Sequence, residues 1–438
     1  MNQLLKSLTL IDAFSIVVGS MIGTGVFLKS ATMAQWAGSV PLVLLAWTVA
    51  GLLSIAGAFS YAEMGRRYPS AGGEYIYLRE SYGALPAFLF GWTRFWIAST
   101  GSVAAYGVGA ATFLSGVISL DALGGKTGVA LIFIGVFSLV NCFAVSFGGK
   151  IQALMTAIKI LLIIFLIAGL GLISEKGPEV HSSYLGNVET HNFFSRFGMA
   201  VLAALWAFDG WNNLPMAAGE VKNSTRVVPL ALVSGTLVVL SLYLGVNLVF
   251  FKALSFSEVM SANSALYPDA PSVAAKAVAR FAGEKSLVIV SCFFVFSALG
   301  AMNGSILTGA RVPYAMAKDG LFFSAFGKVH PKTYVPLISI VLQGVWAMCL
   351  AWSGTFDQIT DYVIFSSWIF YSAIAFAVFR VSKKMRFISL FFSICGLALL
   401  VNTVISAPKD SLIGLGLISL GVPVFIYFNG KKRGALQG

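Results

Sequence analysis

Two short stretches of this sequence place polar residues and glycines inside long apolar segments. The first, GSMIGTGVF, covers residues 19–27, and the second, LWAFDGWNNLP, covers residues 205–215. Glycine and asparagine at this density weaken a helix, and glycine also allows close approach to the backbone. Backbone N–H and C=O groups that lose their intrahelical partners must find other partners. The two interruptions are therefore the first candidates for a binding site.

The first interruption has the chemistry of an anion site. A helix that restarts after it presents free N–H groups and the positive end of its dipole. We expect the N–H groups of Gly23, Thr24 and Gly25, together with the Thr24 hydroxyl, to bind a carboxylate. The alternative for this segment alone is close helix packing through Gly19 and Gly23. The presence of a second interruption of the same kind favours the binding site over helix packing.

The carbonyl groups released at both interruptions supply the opposite end of the site. We expect them to accept hydrogen bonds from an ammonium group, and they belong to Met21, Ile22, Trp206, Ala207 and Asp209. An anion-binding end close to a cation-binding end fits a zwitterion, and an α-amino acid is the simplest such ligand. Trp206 is expected to cover the bound ligand as an aromatic gate.

The elements that carry these residues are predicted to be membrane spans. Of the 438 residues, 58% are hydrophobic and only 11% are charged, whereas about 25% are charged in a soluble domain. Apolar runs long enough to cross a bilayer recur along the chain. We predict an all-α polytopic membrane protein with twelve transmembrane helices. The predicted spans are 8–37, 39–64, 84–117, 127–147, 150–174, 195–217, 229–253, 286–316, 336–353, 358–379, 387–406 and 411–429.

The interruptions fall in spans 1 and 6, which run in opposite directions. Such paired, discontinuous helices indicate a transporter built from inverted repeats, with its site at the midplane. We expect one transporter domain over 1–438, with five-span repeats at 1–174 and 195–379 and two additional helices at 387–429. Basic residues concentrate in the loops of one side, which predicts that both termini are cytoplasmic. Lys29 is assigned to the opposite loops.

Two ionisable residues lie within these apolar spans, where such groups are costly and usually functional. Lys159, in span 5, is expected to act in one of two ways. It is a fixed cation against spans 1 and 8, where a sodium-coupled carrier holds Na⁺, or it titrates and carries a coupled proton. Asp209 caps the interrupted helix, pairs with a buried cation or faces a cationic substrate, and the sequence does not rank these roles.

Several classes of function are excluded by composition. The four cysteines lie in apolar segments and the three histidines are scattered in loops, so we expect no metal site, disulfide framework or cofactor. No Ser/His/Asp set or paired carboxylates indicate an enzyme, and no ring of charges indicates a channel. The net charge of +12 fits cytoplasmic loops that contact anionic lipids, so no nucleic-acid partner is expected.

Three motifs resemble a known family: GSMIGTGVF, GWNNLPMAAGEVKNSTRVVP and GAMNGSILTGARVPYAMAKDG. They are similar to the amino acid–polyamine–organocation superfamily, and within it to the L-type amino acid transporter branch. The resemblance runs from Ser7 to about Lys383. It implies the fold first seen in a bacterial leucine transporter, and a Na⁺-independent α-amino acid carrier that is often an exchanger.

The resemblance also implies roles for individual residues. Trp206 matches the aromatic gate of the family, and Lys159 matches its span-5 lysine, with Ser305 of span 8 near that lysine. Ser367 matches a position at which some relatives contact the substrate. Asp209 stands where glycine occurs in relatives that take large neutral substrates, so cationic substrates remain open.

Partners and location follow from the same resemblance. Heteromeric relatives carry a cysteine between spans 3 and 4 for a disulfide to an ancillary glycoprotein, and the loop SLDALGGKTG has none. We therefore expect a carrier that works alone, compatible with a monomer, in a bacterial inner membrane.

The function predicted from the sequence is secondary active transport of L-amino acids by alternating access. Exchange of small and medium neutral substrates is preferred, and transport of cationic substrates through Asp209 is left open. Four charged residues are candidates for ion pairs at the inner gate: Glu220, Arg66, Arg67 and Lys222. The alternatives are proton symport, with Lys159 as the coupling site, and an amino acid sensor that does not transport.

Overall fold

A computed structural model describes residues 4–143, 145–173, 192–268, 270–283, 286–353 and 356–437. These residues form helices and connecting turns, and no strand occurs among them. Their one isolated β-bridge joins Leu8 to Val221. The all-α prediction is therefore confirmed for the part of the chain that is described.

The first eight helices contain the first predicted repeat. They are α1 (Leu10–Met21), α2 (Gly25–Ala37), α3 (Val40–Arg67), α4 (Glu74–Tyr82), α5 (Ala84–Thr93), α6 (Ser99–Ser115), α7 (Gly125–Asn141) and α8 (Val145–Ile173). A π-helical turn over Arg94–Ala98 joins α5 to α6, so that the two helices and the turn form one continuous helical segment, Ala84–Ser115. The predicted end of the repeat, at residue 174, lies outside the described residues.

The remaining helices follow from residue 193 onward. They are α9 (Phe193–Phe208), α10 (Asn213–Met216), α11 (Ser224–Ala253), α12 (Phe256–Met260), α13 (Val273–Ala282), α14 (Ser286–Gly309), α15 (Arg311–Lys318), α16 (Leu337–Ser353), α17 (Phe356–Val381), α18 (Arg386–Ser406), α19 (Pro408–Ser419) and α20 (Gly421–Gln437).

Nine helical segments in the described ranges are long and apolar enough to cross a membrane. Three shorter apolar helices, α7, α9 and α16, occupy the positions of three further predicted spans. The chain is a polytopic membrane protein, as its composition predicts. The count of twelve spans and the inverted repeat stay predictions.

The helix boundaries fall at both interruptions. α1 ends at Met21 and α2 begins at Gly25. α9 ends at Phe208, after which Asp209 is extended and Gly210 has a φ of +118°. This backbone conformation favours glycine, because the Cβ atom of any other residue would clash with the neighbouring backbone. Local sequence therefore determines where both helices stop.

The interrupted segments lie at the centre of the helix assembly. α1 packs against α8, α11 and α14, whereas α2 packs against α9. Along α1 the side chains of Ile16, Val17 and Val18 are fully buried. Helices from both predicted repeats therefore surround the candidate site and shield its backbone groups from lipid.

The N-terminal segment is held against the far end of span 6. The N–H groups of Ser7 and Leu8 both donate to Glu220 O at 3.0 Å, and Lys222 N–H donates to Leu8 O at 2.9 Å. Thr9 then caps α1, since its side chain and that of Asp12 form reciprocal bonds with the backbone. The start of α1 and the end of span 6 therefore form one connected unit.

Candidate functional site

The two interruptions meet in space. A Cβ atom added to Gly25 would lie 2.6 Å from Ala207 Cα, and one added to Gly210 would lie 2.9 Å from the carbonyl carbon of Ser20. Only glycine permits such approach of two backbones. The structure thus brings together the residues of spans 1 and 6 that the sequence predicts for one site.

At the predicted anion end, two of the three backbone donors are available. Gly23 N–H donates to Met21 O at 2.8 Å, whereas the N–H groups of Thr24 and Gly25 donate to no group in the described ranges. The Thr24 hydroxyl is buried and also has no hydrogen-bond partner among the described residues. Buried donors at a helix N-terminus attract an anion. This arrangement fits a carboxylate on Thr24 and Gly25.

At the predicted cation end, the released carbonyls already accept hydrogen bonds from the protein. The Tyr243 hydroxyl lies 2.7 Å from Met21 O and 2.9 Å from Ala207 O. Since a hydroxyl has one proton, it donates to only one of them at a time. Trp206 O accepts from Asp209 N–H at 3.1 Å. An ammonium group would share these oxygens with the protein or displace its donors.

Lys159 lies against the first interruption. Its Nζ donates to Gly19 O and to Ile22 O, each at 2.7 Å, and the side chain is 1% exposed. On the α14 side, a Cβ at Gly300 would lie 2.8 Å from Nζ, so glycine there makes room for the ammonium group. The lysine is therefore placed between spans 1 and 8.

A serine of α14 reaches one of the two carbonyls that Lys159 binds, but it is not the serine predicted. Ser297 Oγ lies 3.2 Å from Ile22 O and 3.3 Å from Gly23 O. Ser305 lies farther along α14, where its carbonyl accepts from Gln343 Nε2 at 3.4 Å. The sequence offered no signal that would distinguish the two serines, and none for Tyr243, because their partners are distant along the chain.

Aromatic rings cover the site on the predicted outer side. The rings of Trp206 and Tyr106 lie 5.7 Å apart between centroids, and the Tyr106 hydroxyl donates to Ser20 O at 3.2 Å. Beyond them, Phe294 packs on Phe27 at 4.2 Å and on Phe113 at 5.0 Å. A cavity of about 380 Å³ opens past this cluster, lined in part by Phe113. Trp206 therefore lies in ring contact with Tyr106, whose hydroxyl reaches the first interruption.

Asp209 takes part in a buried polar network. Its Oδ1 accepts from the Tyr371 hydroxyl at 3.0 Å. Arg94 also donates to the Tyr371 oxygen, at 3.3 Å, and to Asn213 Oδ1 at 2.6 Å. Asp209 forms no salt bridge with any described residue, so its contact with the cation is indirect.

Two further residues for which the sequence made a prediction, Ser367 and Lys29, lie on α17 and α2. Ser367 lies one turn before Tyr371 on α17, buried and with a hydroxyl that has no partner in the described part of the chain. The prediction that Lys29 lies in a loop is wrong. Lys29 lies on α2, where it is 2% exposed and donates to Thr360 Oγ1 at 3.1 Å. The apolar positions on either side of Lys29 carry it into the interior.

Three of the four residues that are candidates for ion pairs at the inner end form such pairs among the described residues, but with partners outside that set. Glu220 binds Arg311 through two bonds, Oε1 to Nε at 2.7 Å and Oε2 to Nη2 at 3.0 Å, and both side chains are at most 1% exposed. Arg66 and Arg67 bind Glu63 instead. Because both Glu220 oxygens face the Arg311 fork, its charge is already paired.

Comparison with known proteins agrees with the geometry. The amino acid permease family matches residues 8–428. The serine/threonine exchanger of Bacillus subtilis (strain 168) is 30% identical over 454 aligned positions, with 99% of both chains covered. The human b(0,+)-type amino acid transporter 1 is 28% identical, covering 87% of this chain and 78% of its own. The human cystine/glutamate transporter is 27% identical, covering 97% and 86%.

Proposed function

Because this chain belongs to the amino acid permease family, in its L-type transporter branch, we propose that it is a Na⁺-independent exchanger of small and medium neutral L-amino acids. Amino acid transport itself is shared by the relatives, which are transporters and not enzymes. Exchange, substrate size, an inner-membrane location with cytoplasmic termini and a carrier that works alone are the parts of the proposal that need testing.

The observation that carries the proposal is the pair of bonds from Lys159 to Gly19 O and Ile22 O. In sodium-coupled carriers, carbonyls released by a discontinuous helix coordinate the ion. Here an ammonium group of the protein occupies that kind of position. The carbonyls are satisfied without a bound metal ion, so transport proceeds without Na⁺.

The substrate is placed by the two ends of the site. Its carboxylate binds the N–H groups of Thr24 and Gly25, and its ammonium group binds the carbonyls of Met21 and Ala207. Trp206 and Tyr106 cover it, which limits the size of the side chain. The serine/threonine exchanger among the relatives is named for substrates of this size.

Neutral substrates are favoured over cationic ones. Arg94 and Asp209 both bind the Tyr371 hydroxyl, so the aspartate already has a buried guanidinium near it. A second cation would meet this positive charge in a medium of low dielectric constant. Asp209 therefore acts on the conformation of span 6 and not as a counter-ion for the substrate.

Alternating access is supported by closure on both sides. Site residues Met21, Thr24, Trp206 and Asp209 are each at most 5% exposed. The aromatic cluster closes the outer side, and the Glu220–Arg311 pair joins the end of span 6 to the end of span 8 on the inner side. Opening either side requires one of these contacts to separate.

The test is uptake of radiolabelled L-serine into liposomes that contain the purified protein. Uptake should require unlabelled amino acid inside and should be unchanged when choline replaces Na⁺. Uptake into empty vesicles that rises with an inward proton gradient would support proton symport with Lys159 as its coupling group. Saturable L-serine binding with no uptake under any gradient would support a sensor.

A further inference from the structure

Glu74 is a buried carboxyl group that the proposed transport cycle does not use. It begins α4, a helix outside the segments long enough to span a membrane, and it is 0% exposed. Its Oε1 accepts from Asn212 Nδ2 at 2.9 Å. Its Oε2 is buried without any hydrogen-bond partner in the described ranges, and Glu74 forms no salt bridge with a described residue.

Several elements surround this carboxyl group. The titratable and charged residues facing it are Tyr61 of α3, Tyr77 of α4, Arg94 of the π-helical turn, Asp209 of span 6 and Tyr371 of α17. The hydroxyl groups of Tyr61 and Tyr77 are buried without a hydrogen-bond partner among the described residues. Glu74 is therefore surrounded by neutral side chains, one other acid and one base.

The one base is already engaged. Arg94 bonds to Asn213 and to the Tyr371 hydroxyl, which in turn donates to Asp209. One guanidinium can balance only one of the two buried carboxylates, and its hydrogen bonds lead through Tyr371 to Asp209. An ionised Glu74 would then be a buried charge with hydrogen-bond donors beside it but with no salt bridge to a described cation, which is strongly unfavourable.

A proton removes this unpaired charge. A protonated carboxyl is neutral, and its O–H turns the unpartnered oxygen into a donor for a tyrosine hydroxyl oxygen. In agreement with this, burial raises the pKa of Glu74 to about 7.

We propose that Glu74 is a proton-binding site of the carrier, protonated while the inner side is closed and ionised when cytoplasmic water reaches it. The second half of this statement rests on the proposed alternating access. The contact that holds Glu74 comes from Asn212 of the interrupted span, and Gly72 N–H donates to Met216 O at 2.9 Å beside it. Movement of span 6 away from Arg94 and Tyr371 opens this cluster to water. The proton then leaves to the cytoplasm, and Glu74 takes up a proton from the same side as the inner side closes again.

The sign of the pH effect follows from linkage. The closed state holds the proton more tightly than the open state, so acid inside the vesicle favours the closed state. With an ordinary carboxyl pKa in the open state, exchange limited by inner opening should be about tenfold faster at an internal pH of about 8 than of about 6. This dependence of exchange on internal pH should arise from Glu74.

The first experiment is infrared spectroscopy of the purified protein in liposomes, which does not depend on transport. The wild type should show the C=O stretching band of a protonated carboxylic acid that disappears as the pH rises through about 7. Glu74→Gln should lack the titrating band. Glu80→Gln, which changes an exposed carboxyl on the same helix, should keep it.

Isotope labelling of the wild type provides a second test that does not require Glu74→Gln to fold. In wild type grown with carboxyl-¹³C glutamate, the titrating band should shift in frequency. A titrating band whose frequency does not shift with the label would assign the proton to an aspartate and overturn the proposal. A titrating band that persists in Glu74→Gln, or no titrating band in the wild type, would overturn it as well.

Exchange of L-serine at varied internal pH then tests the link to transport. Wild type and Glu80→Gln should accelerate with internal pH, whereas Glu74→Gln should not respond. An equal pH response in all three would overturn the coupling. Failure of exchange in every variant, with the infrared band intact, would instead count against the proposed function.

Discussion

A single ammonium group holds the first interrupted helix in place. Lys159 satisfies two carbonyls that no helical N–H can reach, Gly19 O and Ile22 O. Leaving a buried acceptor without a donor costs about 1–3 kcal/mol. The lysine thus contributes to the conformation of the site as well as to its charge.

Replacing this group tests the role of the fixed cation. Lys159→Met should reduce L-serine exchange at least about tenfold, since one buried bond lost is worth that much. Because Gly19 O then has no donor among the described residues and Ile22 O keeps only Ser297 Oγ at 3.2 Å, Na⁺ should restore part of the activity, as measured by uptake with and without Na⁺. Lys150→Met changes an exposed lysine on the same helix and should exchange normally. Equal activity of both variants would contradict the role.

Gly25 is a second residue whose size determines function. A methyl group at Gly25 would push against Ala207 Cα at 2.6 Å, and overpacking of this kind costs about 1–3 kcal/mol. Gly25→Ala should lower L-serine affinity and reduce exchange, as measured by binding and uptake. Gly416→Ala, in open space on α19, is the control and should behave as wild type. Normal affinity in Gly25→Ala would mean that the interruptions do not touch during substrate binding.

At the scale of elements, the Glu220–Arg311 ion pair joins the predicted inner ends of spans 6 and 8. Removing one partner of a buried pair leaves the other charge uncompensated and costs about 3–5 kcal/mol. The Glu220–Arg311 pair should therefore determine how often the inner side opens.

Changing this pair should alter both stability and access. Glu220→Gln should lower the thermal stability of the purified protein and increase labelling of a cysteine placed at Met216, which is buried in the closed form. The double variant Glu220→Met with Arg311→Met removes both charges and should regain part of the stability. Glu80→Gln, whose pair with Arg79 is exposed, should change neither measurement. Unchanged labelling in Glu220→Gln would exclude the pair as a gate.

The elements themselves could be predicted from sequence because their signals are local. Long apolar runs predicted the spans, and Gly210 with its polar neighbours predicted where α9 stops. The partners across the site could not be predicted. Tyr243 reaches Met21 from 222 positions away, and Arg311 reaches Glu220 from 91. Nothing in local composition indicates which distant polar residue fills which gap.

At the scale of the whole molecule, the site is enclosed by both predicted repeats, so substrate binding should stabilise all of it. A ligand at about a hundred times its Kd adds about 2.7 kcal/mol to the free energy of unfolding. Saturating L-serine should raise the melting temperature of the purified protein, and this increase should shrink in Gly25→Ala. Equal stabilisation of both proteins would place the binding site elsewhere.

The ammonium group of Lys159 has a consequence for energetics on a cellular scale. A cation that is covalently part of the carrier cannot be released on the far side of the membrane. The proposed exchange of one zwitterion for another would therefore move no net charge, and the membrane voltage would do no work on it. Its direction would depend only on the two amino acid gradients, so that the cell could use one abundant amino acid to draw in another without spending its sodium gradient.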